Sequence, residues 1–399
     1  MADKRTRVMI ANLLKNGELY AAHQKYRTTA ARLLKTPAPS SFGTGKSSTS
    51  SSSSAVQLPY DDAAQSAAEL LYEGARALLE KGELGGGTDL SLYLLETWSQ
   101  RSVPCTEETK NKVQTLVALV GGKGNWRKSI VDHAVAWSAN SSETPAGDSA
   151  LHAYVGHVLY KDRDYYGAEQ HLLAAQTRDS AKMLASLLFE WYKLDPSSTS
   201  STTTLGRYAA RGTLSYLEAS SILCATVFLE SFISLSIVSN PPFLAQRLSL
   251  STWPERTADT EIEIVVTTLA SVNFLQLAIK TCQIGMAEQE VKKPGNTTVM
   301  QTVYPGRQAW NQLVTRYERE APWLREAEVK ESTTILAEMY FGIKPANGGG
   351  ANLLGDLMSS LFGGGGASGS TTGAAAGKNR GRGRGRGAET PKIGPAGLD

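Results

Sequence analysis

Apolar side chains recur at the helical spacing i, i+3, i+4, i+7 along most of the chain, and each such segment ends at glycine, proline or a polar cluster. Short connections join the segments, which is typical of stacked helix pairs. The pattern therefore predicts an all-α protein. The predicted helices are 8–15, 20–35, 63–81, 90–100, 112–120, 126–139, 151–161, 165–176, 181–193, 207–239, 272–283, 306–319 and 323–341.

One region departs from the helical spacing. From about residue 248 to residue 266, apolar and polar side chains alternate on both sides of Trp253-Pro254. Such alternation around turn residues indicates a β-hairpin. The sequence thus predicts one hairpin, at about 248–266, inserted in the helical array.

Two helical segments resemble each other. Gly17-Glu-Leu-Tyr-Ala-Ala22-His-Gln24 aligns with Arg163-Asp-Tyr-Tyr-Gly-Ala168-Glu-Gln170. Each places a small alanine where neighbouring helices pack closely in tetratricopeptide-type pairs. Together with the helical pattern this favours an α-solenoid of stacked helix pairs, and chance similarity of two amphipathic helices is the alternative.

Three stretches lack an apolar pattern. Residues 36–58 are nearly all Ser, Thr, Pro and Gly, and residues 196–205 predict a polar loop. Residues 342–399 hold 18 of the 37 glycines, a composition that predicts a disordered tail. Within this tail, residues 352–362 place six apolar side chains on one face of a short amphipathic helix.

These interruptions predict three regions. The N-terminal solenoid half covers 1–195 and contains the disordered insertion 36–58, the C-terminal half covers 206–341 and contains the hairpin, and the flexible tail covers 342–399. Residues 1–35 carry eight bases and two acids, and the tail carries seven bases and three acids. A basic head and tail on an acidic body indicate charged partners at both ends.

Composition excludes several classes of protein. Cys105, Cys224 and Cys282 form no CxxC pair, which argues against a disulfide scaffold or a zinc module and favours a reducing compartment. The start of the chain has no apolar h-region, so we expect no signal peptide. The most apolar stretch, 217–245, contains acids, serines and a Pro-Pro pair, which predicts a core helix rather than a membrane span.

No catalytic constellation stands out. The stretch from Ser40 to Ser47 resembles a phosphate-binding loop, but it lacks the first glycine and the flanking strand and helix. His152 and His157 are five residues apart and so lie on different faces of a helix, whereas zinc uses the i, i+4 spacing. We therefore expect no enzyme activity, no metal and no cofactor.

Gly85, Gly86 and Gly87 stand before an acidic residue. The pattern predicts that these glycines free a loop between two helices, that Thr88 caps the next helix, and that Asp89 complements the helix dipole.

Six stretches, in order and spanning about residues 5–363, resemble the Golgi-to-ER traffic protein four family, the helical scaffold of the guided entry of tail-anchored proteins pathway. The stretches are 17–28, 85–96, 147–152, 165–170, 273–283 and 353–363. The serine-rich insertion and the arginine–glycine tail depart from the family pattern, and no function is transferred to them.

The resemblance implies a non-enzymatic cytosolic adaptor that helps to target tail-anchored membrane proteins to the ER without itself inserting into the membrane. In the family, the N-terminal half docks on an ArsA-like dimeric ATPase that carries the clients. Contacts with this ATPase are expected at Lys15, Lys25, Arg27 and Asp89. The acid at the position of Asp89 is expected to restrain nucleotide turnover by the ATPase.

The C-terminal half of the family holds a ubiquitin-like-domain protein, which in turn recruits a tetratricopeptide co-chaperone. Like the family, this chain places a hairpin before the helix that contains Asn273. Contacts with the ubiquitin-like partner are expected at Asn273, Phe274 and Leu277.

Two other classes stay open. A different solenoid scaffold, of the proteasome-lid kind, would also be helical with a late β-element, but it would end in a winged-helix pattern rather than a Gly/Arg tail. The second class is an RNA-binding protein, because arginine alternates with glycine from Arg380 to Arg386. No aromatic residue is interleaved there, which disfavours RNA as a partner, and deletion of 378–399 would separate RNA binding from adaptor function.

Overall fold

The computed structural model describes residues 2–35, 59–122, 124–142, 144–199, 202–250, 262–285, 287–293 and 297–344. In these ranges the chain forms fourteen α-helices. They are α1 Ala2–Lys15, α2 Leu19–Leu34, α3 Asp62–Glu80, α4 Leu84–Gln100, α5 Glu107–Val120, α6 Trp126–Ser141, α7 Ser149–Lys161, α8 Tyr165–Ala175, α9 Arg178–Leu194, α10 Thr202–Glu218, α11 Ile222–Ser239, α12 Ala270–Gln283, α13 Arg307–Glu320 and α14 Ala327–Phe341. Most contacts join helices that are consecutive or separated by one helix, so the predicted all-α solenoid is confirmed.

Small residues lie where neighbouring helices cross. Ala22 and Ala168, the alanines of the two similar segments, are both fully buried. A Cβ atom added to Gly74 of α3 would lie 2.7 Å from the ring of Tyr26 on α2. Since real Cβ contacts are not that short, a larger residue at Gly74 would force these two helices apart.

Buried apolar side chains form two clusters. One belongs to α1–α7 and the other to α8–α14, and Leu159 packs against both. Residues Met1–Gly348 nevertheless form one compact unit. The predicted division into 1–195 and 206–341 therefore stays a prediction about where partners bind.

The prediction of one continuous helix over 207–239 is wrong, because the chain breaks between α10 and α11. Ser220 has a φ of 57°, and the N–H groups of Ser220 and Ser221 donate to carbonyl groups of the last turn of α10. The predicted polar loop at 196–205 is partly helical, since α10 already begins within it. Apolar residues stand on both sides of the break, so the pattern of the sequence continues across it.

Helix α11 has 18 residues and a mean hydropathy of 2.0, so by length and composition it could cross a membrane. In this fold it packs against α9, α10 and α12. Seven of its side chains are buried, among them Phe228 and Phe232. Helix α11 is thus part of the folded core, as the sequence predicts.

The predicted hairpin is confirmed by strand β1, Leu244–Leu250, which pairs with β2, Ile262–Thr267, in an antiparallel sheet. A second antiparallel hairpin, of β3 Ala287–Lys293 and β4 Thr297–Val303, was not predicted. Strand β3 is mostly charged or polar and lacks the alternation that marks a half-buried strand. The prediction of a single hairpin was therefore incomplete.

The serine-rich insertion 36–58, the predicted amphipathic helix 352–362 and the arginine–glycine run all lie outside the described residues. The predictions made for these segments stay predictions.

A histidine pair joins α7 to α8, between the two core clusters. His152 Nδ1 lies 2.9 Å from His171 Nδ1, and His152 Nε2 lies 2.9 Å from the carbonyl oxygen of Ala146. Because a carbonyl only accepts, we infer that His152 carries its proton on Nε2 and that His171 donates from Nδ1. Burial lowers the pKa of both histidines, to about 4 for His171, where the neighbouring imidazole contributes as well.

We expect acid to lower the stability of the chain through this histidine pair. A lowered pKa means that the unfolded chain binds more protons than the folded one, so stability is complete above pH 6.5 and is lost as the pH falls toward 4. For His171 alone the loss is about 2 kcal/mol at pH 5. Thermal unfolding at pH 7.5 and pH 5.0 measures it. His171→Asn should lose less stability than the wild type on acidification, while His157→Asn, at an exposed position of α7, should lose as much. Equal losses in all three proteins would contradict the assignment.

Candidate docking surfaces

Asp89 lies in the second turn of α4 rather than at its start. Helix α4 begins at Leu84, with Glu83 as the preceding residue, and the three glycines belong to its first turn. The predicted interhelical loop and the predicted Thr88 cap are therefore wrong. The influence of a helix dipole on a charge fades within the first turn, so the dipole does not account for Asp89 either.

The glycines of α4 allow close packing. A Cβ atom on Gly87 would lie 2.6 Å from Leu79 Cγ of α3, and one on Gly86 would lie 3.3 Å from Leu78 Cδ1 and 3.5 Å from His23 Cδ2. A side chain at Gly87 would push α4 away from α3, and one at Gly86 would be tight against Leu78 and in ordinary contact with His23. Tertiary contact thus explains glycines that local helix propensity disfavours.

Asp89 binds two basic residues of α2. Its Oδ2 accepts a hydrogen bond from the guanidinium of Arg27 and lies 2.8 Å from Nε2 of His23. The guanidinium carbon of Arg27 lies 5.6 Å from the ring centre of Tyr93. We call these four residues the α2–α4 polar cluster. The side chains of Arg27 and Asp89 are 48% and 39% exposed and that of His23 is 13% exposed, so the ion pair forms the open side of the cluster.

The cluster keeps both members of this ion pair charged at neutral pH. Burial raises the pKa of Asp89, but the hydrogen bonds from Arg27 and His23, together with the positive charge of Arg27, outweigh burial and hold this pKa below its usual value. The hydrogen bond to Asp89 raises the pKa of the Arg27 guanidinium. A partner that approaches this surface therefore meets a carboxylate that is already neutralised from within the chain.

Lys15 and Lys25 do not join the polar cluster. Lys25 and Arg27 are two residues apart on α2, so their side chains leave the helix about 200° apart. Lys15 is exposed at the end of α1. Within the described residues neither lysine forms an ion pair, and both can offer their charge to a partner.

Asn273 binds the end of strand β2. Its Nδ2 donates to the carbonyl oxygen of Thr267 over 2.8 Å, and its Oδ1 accepts from the N–H and the hydroxyl of Thr267 over 2.8 and 3.0 Å. The amide that was expected to contact a partner therefore already serves the hairpin.

Phe274 lies inside the C-terminal core. Its side chain is fully buried, and its ring centre lies 6.4, 5.7 and 6.2 Å from those of Trp310, Tyr317 and Trp323. The expected direct contact of Phe274 with a partner is corrected to a role in packing. Leu277, one turn further along α12, is partly buried, and its partner contact stays a prediction.

Sequence reasoning missed His23, although a signal for it existed. His23 precedes Arg27 by four residues in the stretch 17–28, and this spacing puts both side chains on one helix face.

The part of the chain that the structure describes contains no group of three or more His, Cys, Asp or Glu side chains placed to hold a metal ion.

Known proteins resemble this chain along most of its length. The sequence profile of the family described as "Golgi to ER traffic protein 4" matches residues 62–362. Golgi to ER traffic protein 4 of Schizosaccharomyces pombe is 28% identical over 298 residues, which cover 75% of this chain and 84% of that relative. The protein of the same name from Aspergillus fumigatus is 28% identical over 364 residues, or 88% of this chain and 87% of the relative.

A solved structure agrees with the sequence comparison. The protein described as "Crystal structure of C. therm. Get4" is 26% identical, superposes with a TM-score of 0.64, and covers 93% of this chain and 100% of its own.

Proposed function

The chain belongs to the Golgi to ER traffic protein 4 family, and on that premise we propose that it is a cytosolic, non-enzymatic adaptor in the targeting of tail-anchored membrane proteins to the ER. Family membership itself gives the chain a role in Golgi-to-ER traffic. In the finer proposal, the N-terminal helices dock on an ArsA-like dimeric ATPase. The hairpin and α12 bind a ubiquitin-like-domain protein, through which a tetratricopeptide co-chaperone is recruited.

The α2–α4 polar cluster is the observation that supports the ATPase surface. Arg27 and Asp89 received their docking roles from two separate stretches of sequence, and they meet in one partly exposed ion pair. A surface that presents a guanidinium and a carboxylate side by side can bind complementary charges of a partner and thereby fix its orientation.

The intrachain ion pair suggests how Asp89 acts on the ATPase. While Asp89 holds Arg27, that guanidinium is not fully available to an acidic partner. A basic group of the ATPase that binds Asp89 would release Arg27 for an acidic group nearby. The exchange costs little, because an exposed ion pair contributes only about 0–1 kcal/mol.

We expect charge reversal at the basic positions to weaken ATPase binding. The triple variant Lys15→Glu, Lys25→Glu and Arg27→Glu should lose at least roughly 2 kcal/mol of binding free energy, since several charge-assisted contacts disappear together. Wild-type binding should weaken steeply with salt. Calorimetric titration at two salt concentrations measures both effects.

The matched control reverses three exposed arginines of α13, Arg307, Arg316 and Arg319. Binding that responds to neither salt nor the N-terminal variant would refute the docking surface.

Single variants of the ion pair separate docking from regulation of the ATPase. Asp89→Lys should keep most of the ATPase affinity, which the basic residues supply, and should relieve restraint of ATP hydrolysis at saturating adaptor. Hydrolysis by the ATPase is compared with wild-type adaptor, Asp89→Lys and Arg27→Ala, which breaks the same intrachain pair but keeps the carboxylate. Unchanged turnover with Asp89→Lys would limit Asp89 to its contacts with Arg27 and His23.

The family match bears on one of the two alternative classes of protein, the lid-type scaffold, and not on the other, the RNA-binding protein. The family match accounts for the helical array without a lid-type scaffold. RNA binding by residues 378–399 stays the disfavoured alternative that it is from the sequence, because these residues lie beyond the matched residues 62–362 and beyond the described part of the chain.

A further inference from the structure

One edge of the first hairpin is bound by side chains of α12. Gln276 Nε2 donates to the carbonyl oxygen of Val265 over 2.7 Å, and the N–H of Val265 donates to Gln276 Oε1 over 3.2 Å. Asn273 makes the equivalent pair of bonds with the N–H and carbonyl of Thr267, both over 2.8 Å. Two side-chain amides thus bind alternate residues of one strand, each through a donor and an acceptor.

This arrangement imitates a neighbouring strand. Residues two apart in a strand point their backbone groups to the same side, so the N–H and carbonyl groups of Val265 and Thr267 both face α12. The backbone groups of Val266, which lies opposite Gln246, point the other way, toward β1. A primary amide has the same donor and acceptor as a peptide unit. The i, i+3 spacing of the two amides puts both on one face of the helix. Helix α12 therefore occupies the edge of β2 that another strand would otherwise use.

We propose that Gln276 and Asn273 are positioning residues that fix the hairpin on α12, so that affinity for the ubiquitin-like-domain protein depends on them although they do not touch it. This inference rests on the proposed function of the hairpin. The donor and the acceptor of each amide both form hydrogen bonds within the chain, so this edge of β2 cannot pair with another strand. A partner segment has to bind a hairpin whose orientation α12 has already set.

Hydrogen exchange tests the positioning in the full chain without any partner. In the double variant Asn273→Ala/Gln276→Ala, the amide protons of Val265 and Thr267 should exchange at least tenfold faster than in the wild type. Gln283→Ala, at an exposed position of the same helix, should leave both rates unchanged. Unchanged protection in the double variant would overturn the inference.

A charge-dependent variant links positioning to partner affinity. In Gln276→Glu the carboxylate still accepts from the N–H of Val265, but it no longer donates and it repels the carbonyl oxygen. We expect at least tenfold weaker binding of the full-length ubiquitin-like-domain protein at pH 7.5. The deficit should be smaller at pH 5.5, because partial burial and the facing carbonyl oxygen raise the pKa of the new carboxyl group above its ordinary value of about 4.3, so that part of the population is protonated and can donate again. Gln276→Ala should lose affinity without this recovery, and Gln283→Glu should bind like the wild type at both pH values.

The outcomes separate the inference from the proposed function. Wild-type affinity in Gln276→Glu and Gln276→Ala would overturn the inference and leave the adaptor role intact. Failure of the wild-type chain to bind the ubiquitin-like-domain protein would overturn the proposed function and the claim about affinity, while exchange at Val265 and Thr267 would still decide whether α12 fixes the strand.

Discussion

Phe274→Ala is expected to lower the free energy of unfolding by about 3–5 kcal/mol, because it removes a fully buried ring and leaves a cavity. The ring packs edge-on against Trp323, at an interplanar angle of 80°, and tilted against Trp310 and Tyr317. Such aromatic pairs add to the effect of burial alone. The substitution therefore tests whether the conspicuous aromatic residue of this stretch belongs to the core or to a partner surface.

Denaturant unfolding of the chain without any partner measures this effect. Leu277→Ala is the matched control, because Leu277 lies on the same helix and is only partly buried, so its loss should be smaller. Lost partner binding in Phe274→Ala would then follow from lost packing. An unchanged unfolding midpoint together with lost partner binding would instead return Phe274 to the partner surface.

Arg211→Ala is expected to destabilise the chain by about 3 kcal/mol, because it leaves a buried carboxylate without its partner. Glu169 is only 5% exposed, and both of its oxygens accept hydrogen bonds from the Arg211 guanidinium over 2.5 Å. The guanidinium also lies 4.7 Å from the ring centre of Trp191. This ion pair joins α8 to α10, with the Glu169 carboxylate buried and the Arg211 side chain 40% exposed.

The chain provides a matched control one turn earlier on α10. Arg207 pairs with Glu326 over 2.6 Å, but both side chains are about half exposed, so Arg207→Ala should cost no more than about 1 kcal/mol. Thermal and denaturant unfolding compare the two variants. Glu169→Gln added to Arg211→Ala should recover part of the loss, because a neutral amide is cheaper to bury than a carboxylate. Equal losses for Arg207→Ala and Arg211→Ala would show that burial of Glu169 does not matter.

The sequence by itself determined the class of the fold and the family. The periods of helices and strands arise within a few residues, so the alternation around Trp253 marked a hairpin and the helical spacing at 63–81 marked α3. Family stretches are likewise local. The profile match over residues 62–362 agrees with them.

Only the tertiary structure decided what the candidate residues do. Asp89 was interpreted as a residue of the helix start because three glycines disfavour a helix locally, whereas in the fold all three lie within α4, and Leu78 and Leu79 leave little room for a side chain at Gly86 and Gly87. Phe274 and Asn273 were expected at a partner surface, but the side of α12 that each faces depends on α13 and on β2.

Local sequence patterns also did not predict the contacts among His23, Arg27 and Asp89, or the second hairpin. Asp89 meets Arg27 across 62 positions because of the distance and rotation between α2 and α4, and β3 pairs with β4 although its own residues favour no strand. Local patterns are produced by interactions between near neighbours along the chain. Contacts between distant residues are instead selected by the packing of whole helices, which no short stretch of sequence contains.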